Sequence, residues 1–582
     1  MISLDINEYD VVILGSGLAG MRAALEASLE SNGKARIAIV TKLHAMRSHS
    51  VSAEGGISGV LSKSKGDSEE LHAYDTVKGG DYLSDQDAVE VLVENAPKEI
   101  MLLDHLGVPW NRDASGDIMV RAFGGMSIPR TAFAEDKTGF FMMNALYDTL
   151  LEFGNIDIFH ENFVTKLIME GGRFLGFFAI DMASGEYRLF LGKCGIIATG
   201  GHSRMYGFTT TAHSSTGDGT ALAYNAGATL KNMEFVQFHP TSLVPTGILI
   251  SEAARGEGAY LINSKGERFM KEYASSKMEL APRDIVSRAI VTEINKGNAF
   301  GSDKYGMEYV GLDLRHLDAD VINKKLPMVR EIAKHALGIS PISDILPVRP
   351  AAHFTMGGIN TDINGKVILG GGILAQGLWA AGECGCVSIH GANRLGSNSL
   401  SECLIWGRLS GSQAAGTAAA AAQVDRDLAV KEASFEERRI DSMLEGKGNR
   451  DPYELRKELQ HTMDTLAYVY RTREGLSKAI HEVERIEREL KRMRIDDINR
   501  IYNTNLRDAL EIANLATLAR VTLECAVRRE ETRGAHAMAK HPIRDDKNWL
   551  KHTIAGIGED GSPSISYVPV RITKWKPEER RY

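Results

Sequence analysis

Tyr9-Asp10-Val11-Val12-Ile13-Leu14-Gly15-Ser16-Gly17-Leu18-Ala19-Gly20-Met21-Arg22-Ala23-Ala24-Leu25-Glu26-Ala27 is the stretch that decides the fold. Its first six residues are short, apolar and β-branched, as a strand buried on both faces must be. Glycines follow at 15, 17 and 20, and residues 21–27 continue as a helix. In such a G-x-G-x-x-G loop the first glycine permits the tight turn. The second lets the backbone approach a pyrophosphate, and the third lets helix and strand pack closely. The helix N-terminus adds N–H donors and a positive dipole end. A second buried strand, Arg36-Ile37-Ala38-Ile39-Val40, closes a βαβ unit and implies a parallel sheet with a right-handed crossover. The motif alone is weak, and its place between strand and helix makes it a dinucleotide loop. NAD normally requires an Asp or Glu after the second strand, but Thr41 and Lys42 stand there. That disfavours NAD without selecting FAD.

Further strands are expected over residues 163–169, 174–181 and 194–198, the last running into Thr199-Gly200-Gly201. Near Glu234 the texture becomes mixed, rich in Gly and Pro, and sheet-like texture returns near Arg349. The chain therefore divides into a discontinuous dinucleotide domain (1–235 and 351–425), an inserted domain (236–350), a helical domain (426–540) and a tail (541–582). The alanine-rich residues 414–422 read as a helix end or a surface helix. Leu476, Ile480, Val483, Ile486, Leu490 and Met493 form one apolar stripe on a long helix whose opposite face is solvated charge. The tail, with Trp549 and Trp575, is expected to wrap the surface.

The 582 residues suffice for about three or four domains at roughly 150 residues each. A net charge of -8 argues against a phosphate-backbone partner, which needs a basic surface, so no nucleic acid is expected. The 58 glycines point to tight turns and close approaches to a ligand. Cys194, Cys384, Cys386, Cys403 and Cys525 form no C-x-x-C pair, which implies a reducing compartment and no metal or cluster ligands in this chain. Cys384 and Cys386 read as small buried residues. Met1-Ile2-Ser3-Leu4-Asp5 lacks the features of a leader, and no apolar run reaches the roughly 20 residues of a membrane span. Membrane association is thus expected only through a partner.

Arg47-Ser48-His49-Ser50-Val51-Ser52-Ala53-Glu54-Gly55-Gly56-Ile57 cannot form a packed core, but its backbone can lie against a flat ring. Read alone, His49 is an ordinary loop histidine. The segment resembles the flavin-attachment segment of the flavoprotein subunits of succinate dehydrogenase and quinol:fumarate reductase. By that resemblance FAD is the cofactor, bonded covalently through His49. The family often has Gln at the position of Glu54 in succinate dehydrogenases and Glu in some fumarate reductases, which leans toward fumarate reduction.

Further clusters match the same family in order: Thr216-Gly217-Asp218-Gly219, Gln237-Phe238-His239-Pro240-Thr241, Ser251-Glu252-Ala253-Ala254-Arg255-Gly256-Glu257-Gly258, Pro282-Arg283-Asp284, His353-Phe354-Thr355-Met356-Gly357-Gly358, Gly382-Glu383, and Gly391-Ala392-Asn393-Arg394-Leu395-Gly396-Ser397-Asn398-Ser399-Leu400. Singly, each His or Arg has a dull reading; Arg283 with Asp284 could be a surface ion pair worth little. Their joint appearance carries the argument, over residues from about 9 to 555.

The resemblance implies an α/β fold: a Rossmann-like FAD-binding domain, an inserted α+β capping domain and a C-terminal helical domain. The implied substrates, succinate and fumarate, are dianions and demand charge-assisted donors. Arg394 and His353 are assigned to one carboxylate, His239 and Ser251 to the other. Ser251 stands where the family more often has Thr. Arg283 is implied as proton donor, with Glu252 and Arg255 relaying protons; the arginine need only lend its proton during the step. A carboxylate twisted out of plane would make the alkene a better hydride acceptor. The FAD contacts implied are Gly15, Ser16, Gly17, Leu18, Ala19, Gly20, Thr41, Lys42, Ser48, His49, Ser50, Ala53, Glu54, Gly55, Gly56, Asp218, Glu383, Ser399 and Leu400.

Glu531-Thr532-Arg533-Gly534-Ala535-His536 and Ile543-Arg544-Asp545-Asp546-Lys547-Asn548-Trp549 also match, although the spacer 537–542 lacks the acidic residue often found there. The family's partners are an iron–sulfur subunit and a membrane anchor. They imply a peripheral place on the cytoplasmic face of the cell membrane, in anaerobic respiration or the tricarboxylic acid cycle. The alternatives are a soluble fumarate reductase, an L-aspartate oxidase-like flavoenzyme, or a non-catalytic nucleotide-binding scaffold.

Overall fold

The computed structural model describes residues 4–581 apart from 62, 64, 65 and 447, so Met1, Ile2 and Ser3 of the N-terminal pentapeptide lie outside the described residues. The opening strand runs Leu4–Leu14, starting before Tyr9 because residues 4–9 pair in register with residues 187–192 although they are only partly buried. The helix after the glycine loop is Leu18–Glu30. Five strands are parallel in the order Leu374–Ala380, Tyr187–Ile197, Leu4–Leu14, Ile37–Val40 and Ile156–Phe159.

The sheet is not parallel throughout, as the opening unit alone would suggest. Asn162–Glu170, Arg173–Asp181 and Tyr187–Ile197 form an antiparallel meander. The first reversal is a two-residue turn of Gly171 and Gly172, both at positive φ, which glycine adopts without strain. Tyr187–Ile197 then changes partner, and its last residues pair in parallel with Leu374–Ala380.

Leu18–Glu30 packs on Asn398–Ala420 through two glycines. A Cβ at Gly407 would stand 2.6 Å from Ala19 O, and one at Gly411 only 2.3 Å from Ala23 O. The alanine-rich stretch is the end of that helix, and Ala414, Ala415 and Ala418 are buried in it, not exposed as a surface helix would leave them.

A second sheet orders Val236–Leu243, Leu346–Thr355, Val310–Asp313 and Tyr260–Ile262, all antiparallel. Helix Arg283–Asn295 lies against it, and Ser287 Oγ donates to Phe238 O at 2.8 Å. In the third region helix Arg473–Leu490 buries Leu476, Ala479, Ile480, Val483 and Ile486 beside helices Pro452–Leu466 and Thr504–Arg528. Met493 lies beyond the helix end.

The hairpin Lys551–Ile557 and Pro563–Pro569 adds to Leu230–Lys231. Past it the chain runs by the start of helix Gln86–His105: the Gln86 carboxamide oxygen accepts the N–H groups of Thr573, Lys574 and Trp575. Among the described residues no helix is long and apolar enough to cross a membrane.

Candidate active site

One cavity of about 800 Å³ is lined by the glycine loop, the serine-rich segment around His49 and a cluster of Arg and His. Its glycines are forced. A Cβ on Gly15, whose φ is 108°, would lie 2.2 Å from Ala198 O, and one on Gly20 would lie 2.0 Å from Gly15 O. Gly20 therefore serves the turn from behind and does not line the cavity, whereas Gly15, Ser16, Gly17, Leu18 and Ala19 do. The N–H of Leu18 donates to Ser50 Oγ at 3.2 Å, tying the helix N-terminus to the His49 segment.

Ser16 Oγ donates to Thr41 Oγ1 at 2.9 Å. Lys42 reaches Thr216 Oγ1 at 2.7 Å, Asp218 at 2.6 Å and Glu511 at 2.9 Å. Asn514 Nδ2 also donates to Asp218, at 2.9 Å. Glu511 and Asn514 belong to the helical region, some 470 residues from Lys42. No periodicity in the sequence announces that pairing.

His49 opens a short 3-10 turn, and its Nδ1 accepts from Ala212 N at 3.3 Å, which leaves Nε2 for the cavity. Burial, then the nearby Arg204, lowers its pKa to about 4, so the ring is neutral. Ser48, Ser50, Ala53, Glu54, Gly55 and Gly56 complete this wall. Burial and then Asp136 raise Glu54 to about 8, against the pull of Arg121. Arg121 donates to Gly55 O at 2.6 Å and Glu54 O at 2.9 Å. Arg121 and Asp136 were not singled out in the sequence, because nothing local marks them.

The polar end gathers residues from widely separated segments of the chain. Arg394 donates to His353 Nε2 at 3.0 Å and to Ser399 Oγ at 2.7 Å, with its guanidinium over the Phe354 ring at 4.3 Å. His353 Nδ1, which then carries the proton, meets Thr210 Oγ1 at 2.7 Å. His239 Nδ1 accepts from Thr241 N at 3.3 Å, leaving Nε2–H as its donor. The two imidazoles lie with centroids 5.0 Å apart. Burial, then Arg283, holds both well below the usual histidine range. Arg394 falls to about 9, through burial and then Arg283. Neutral imidazoles and crowded guanidinium groups make an electropositive, desolvated end that suits a dianion.

Arg283 Nε donates to Glu252 Oε2 at 2.8 Å, and its Nη1 to Gln237 Oε1 at 3.0 Å. Gln237 in turn donates to Arg394 O at 2.8 Å, linking the two arginines. The motif Gln237-Phe238-His239-Pro240-Thr241 does not by itself mark Gln237 for this link. Burial would raise Glu252, but Arg283 and Arg255 outweigh it and hold the carboxyl at about 2. Arg255 stands behind Glu252, at 3.6 Å, donates to Glu279 O and does not line the cavity. Ser251 lines it, while its Oγ accepts weakly from Ala253 N at 3.4 Å.

Glu383 accepts from Thr355 N at 2.9 Å and is raised to about 7 by burial. It lines the cavity with Asp218, Ser399 and Leu400. Cys384 and Cys386 are buried, and burial raises both thiols. Among the described residues, wall atoms Thr199 Oγ1, Glu54 Oε2 and Arg394 Nε are buried with no hydrogen-bond partner. A glycine loop that opens a helix N-terminus, followed by orphaned polar atoms along one cavity, fits a large polar dinucleotide and an anionic substrate.

Residues 10–400 match the FAD binding domain family, and residues 456–582 match the fumarate reductase flavoprotein C-term family. The fumarate reductase flavoprotein subunit of Mycobacterium tuberculosis is 45 % identical over 99 % of both chains. The succinate dehydrogenase flavoprotein subunit of Rickettsia conorii is 41 % identical, over 97 % of this chain and 96 % of its own. A solved structure of an Escherichia coli quinol fumarate reductase flavoprotein carrying a point mutation superposes with a TM-score of 0.95, at 39 % identity and 99 % coverage of both chains.

Proposed function

The chain belongs to the family of FAD-dependent fumarate reductase and succinate dehydrogenase flavoprotein subunits, and from that premise we propose that it interconverts fumarate and succinate. The observation that carries the reading is the convergence of Arg394, His353, His239 and Arg283 on one cavity that is continuous with the glycine loop.

FAD, when bound, supplies the hydride acceptor or donor. The loop and helix start at Ser16, Gly17 and Ala19 offer backbone N–H groups to its diphosphate, Gly15 and Leu18 shape the wall beside them, and His49 Nε2 is the attachment atom. Thr41, Lys42, Asp218, Glu383, Ser399, Leu400 and the residues around Glu54 hold the remainder. Arg394 and His353 bind one substrate carboxylate, His353 giving up its contact with Arg394 to turn an Nε2–H toward it, and His239 and Ser251 bind the other. Such fixed positioning supplies much of the rate by removing the need to orient the reactants during the step. Arg283 gives a proton to the substrate carbon next to the one that takes the hydride. Glu252, and Arg255 behind it, return a proton to Arg283.

The regions 1–235 with 351–425, 236–350, 426–540 and 541–582 act as FAD-binding domain, cap, helical domain and tail. The cap excludes water from the step. Electrons pass to or from an iron–sulfur subunit. Membrane anchor subunits hold the assembly on the cytoplasmic face of the cell membrane. Support for both partners is the likeness to a quinol fumarate reductase.

The test is succinate-dependent reduction of an artificial dye and fumarate-dependent oxidation of a reduced dye by the purified protein. Malonate-sensitive activity in both directions is expected. Inactivity of the flavin-loaded protein in both directions would overturn the proposal.

A further inference from the structure

We propose that Arg580 is a positioning residue for the proposed proton donor: it bridges Asp81 on the FAD-binding domain to Asp284, the neighbour of Arg283 on the capping helix. The proposal rests on the reading of Arg283 given above. One guanidinium nitrogen of Arg580 lies 2.9 Å from Asp81 Oδ2 and 2.6 Å from Asp284 Oδ2. The three side chains are 8 %, 5 % and 0 % exposed, so this is a buried bridge and not a surface pair. Exposed pairs contribute little, whereas removing one partner of a buried set leaves charge uncompensated.

Both ends of the bridge are fixed. Asp81 sits at a φ of 54°, and its carboxylate accepts from Gly534 N at 2.8 Å and from Arg544 at 2.8 Å. Arg533 donates to its carbonyl oxygen at 2.8 Å. Asp284 also accepts from Arg288 at 3.0 Å, and Arg288 donates onward to Gly534 O at 2.6 Å. The segment that carries Arg580 is held by Gln86 and by Arg544, which donates to Glu578 O at 2.9 Å.

The two carboxylates work against each other. Burial would raise both, and Asp81 pushes Asp284 up further. Arg580 stands foremost among the charges that bring each down, ahead of Arg533 and Arg544 at Asp81 and ahead of Arg288 at Asp284. Without Arg580 two anions would face each other across the boundary between the domains. The yielding part is the first turn of helix Arg283–Asn295, whose opening residue is Arg283 itself. A displacement of about 1 Å at a reacting group can cost on the order of a hundredfold in rate.

The test uses the full-length, flavin-loaded protein with Arg580→Gln, Arg580→Lys and the double variant Arg580→Gln/Asp284→Asn. Expected for Arg580→Gln are retained flavin, KM within about twofold, and turnover lower by roughly ten- to a hundredfold. Amide exchange over residues 285–288 should quicken. Arg580→Lys should recover most of the turnover and the double variant part of it, because each lessens the carboxylate repulsion. If Arg580→Gln loses its flavin, the double variant, with one anion fewer, must regain it. Normal turnover with unchanged exchange overturns the bridge. Quickened exchange with normal turnover overturns the positioning role, and normal turnover in Arg283→Gln as well would remove the proton-donor assignment. Arg580→Lys or the double variant performing no better than Arg580→Gln also overturns the proposal.

Discussion

Arg283 and Glu252 form an ion pair, Nε to Oε2 at 2.8 Å, with side chains only 8 % and 1 % exposed. Gly124 N adds a second donor to the same carboxylate at 2.6 Å. The pair holds the guanidinium at the polar end of the cavity and keeps a carboxylate against it, the arrangement a lent proton requires. In the proposed reaction Arg283→Gln and Arg283→Lys should each lower kcat by about 10²–10⁴, with flavin content unchanged. Steady-state kinetics checks this, and near-normal turnover in both variants would remove the assignment.

His49→Ser should leave a flavoprotein whose cofactor is released by acid, since only the glycine loop and the cavity wall would hold it. The assay is flavin absorbance in the supernatant after acid precipitation. Flavin that stays with the pellet would show that the bond lies elsewhere.

Among the described residues the Ser251 hydroxyl has one weak contact, at 3.4 Å, so it can turn toward a carboxylate. Ser251→Ala should weaken substrate by about 1 kcal/mol, a roughly fivefold rise in KM. Ser251→Thr should stay within about twofold of the unaltered protein, because the hydroxyl remains. Equal effects of the two substitutions would contradict the role.

Glu511 carries Lys42 and Arg456, at 2.9 and 2.7 Å, and with the Asn514–Asp218 contact ties the helical region to the glycine-loop region. Glu511→Gln should destabilise the protein by roughly 1.5–3 kcal/mol, the worth of hydrogen bonds to a charged group. Flavin occupancy should fall too, since Lys42 lines the cavity. Denaturant unfolding and flavin content report both, and an unmoved midpoint would argue against the link.

Glu54 has a folded-state pKa raised from 4.5 to about 8. The folded form therefore holds a proton that the unfolded chain has lost, so its contribution to stability falls as pH rises from about 4.5 to 8. Glu54→Gln has no such proton to lose. The melting temperature of the flavin-free variant should gain on the unaltered protein as pH rises through that window. A constant difference from pH 5 to 8 would contradict this origin.

Much of the fold was legible because its signals are local. A buried strand, a turn only glycine can make and a helix start follow one another between Tyr9 and Ala27, and each is set by φ and ψ preferences of adjacent residues. The stripe from Leu476 to Ile486 was legible for the same reason, as a helix repeats its face every 3.6 residues. The meander around Gly171 and Gly172 was not, since pairing direction depends on which strands meet. Nor was the burial of Ala414, Ala415 and Ala418, because a short alanine run looks alike on a surface and against another helix.

The dinucleotide loop, the succession of motifs and the residue types offered to a flavin and a dianion are legible in the order of the amino acids. Their company is the work of the folded chain. It put Gly20 and Arg255 behind the cavity wall, joined Arg283 to Arg394 through Gln237, set Glu511 against Lys42, and brought Arg580 between Asp81 and Asp284. The physical reason is range. Backbone preferences act between neighbours in the chain, whereas a buried charge is satisfied by whatever the folded chain brings within about 3 Å, however distant in sequence. The loop from Gly15 to Gly20 could be read from its own six residues, but the site it serves could not.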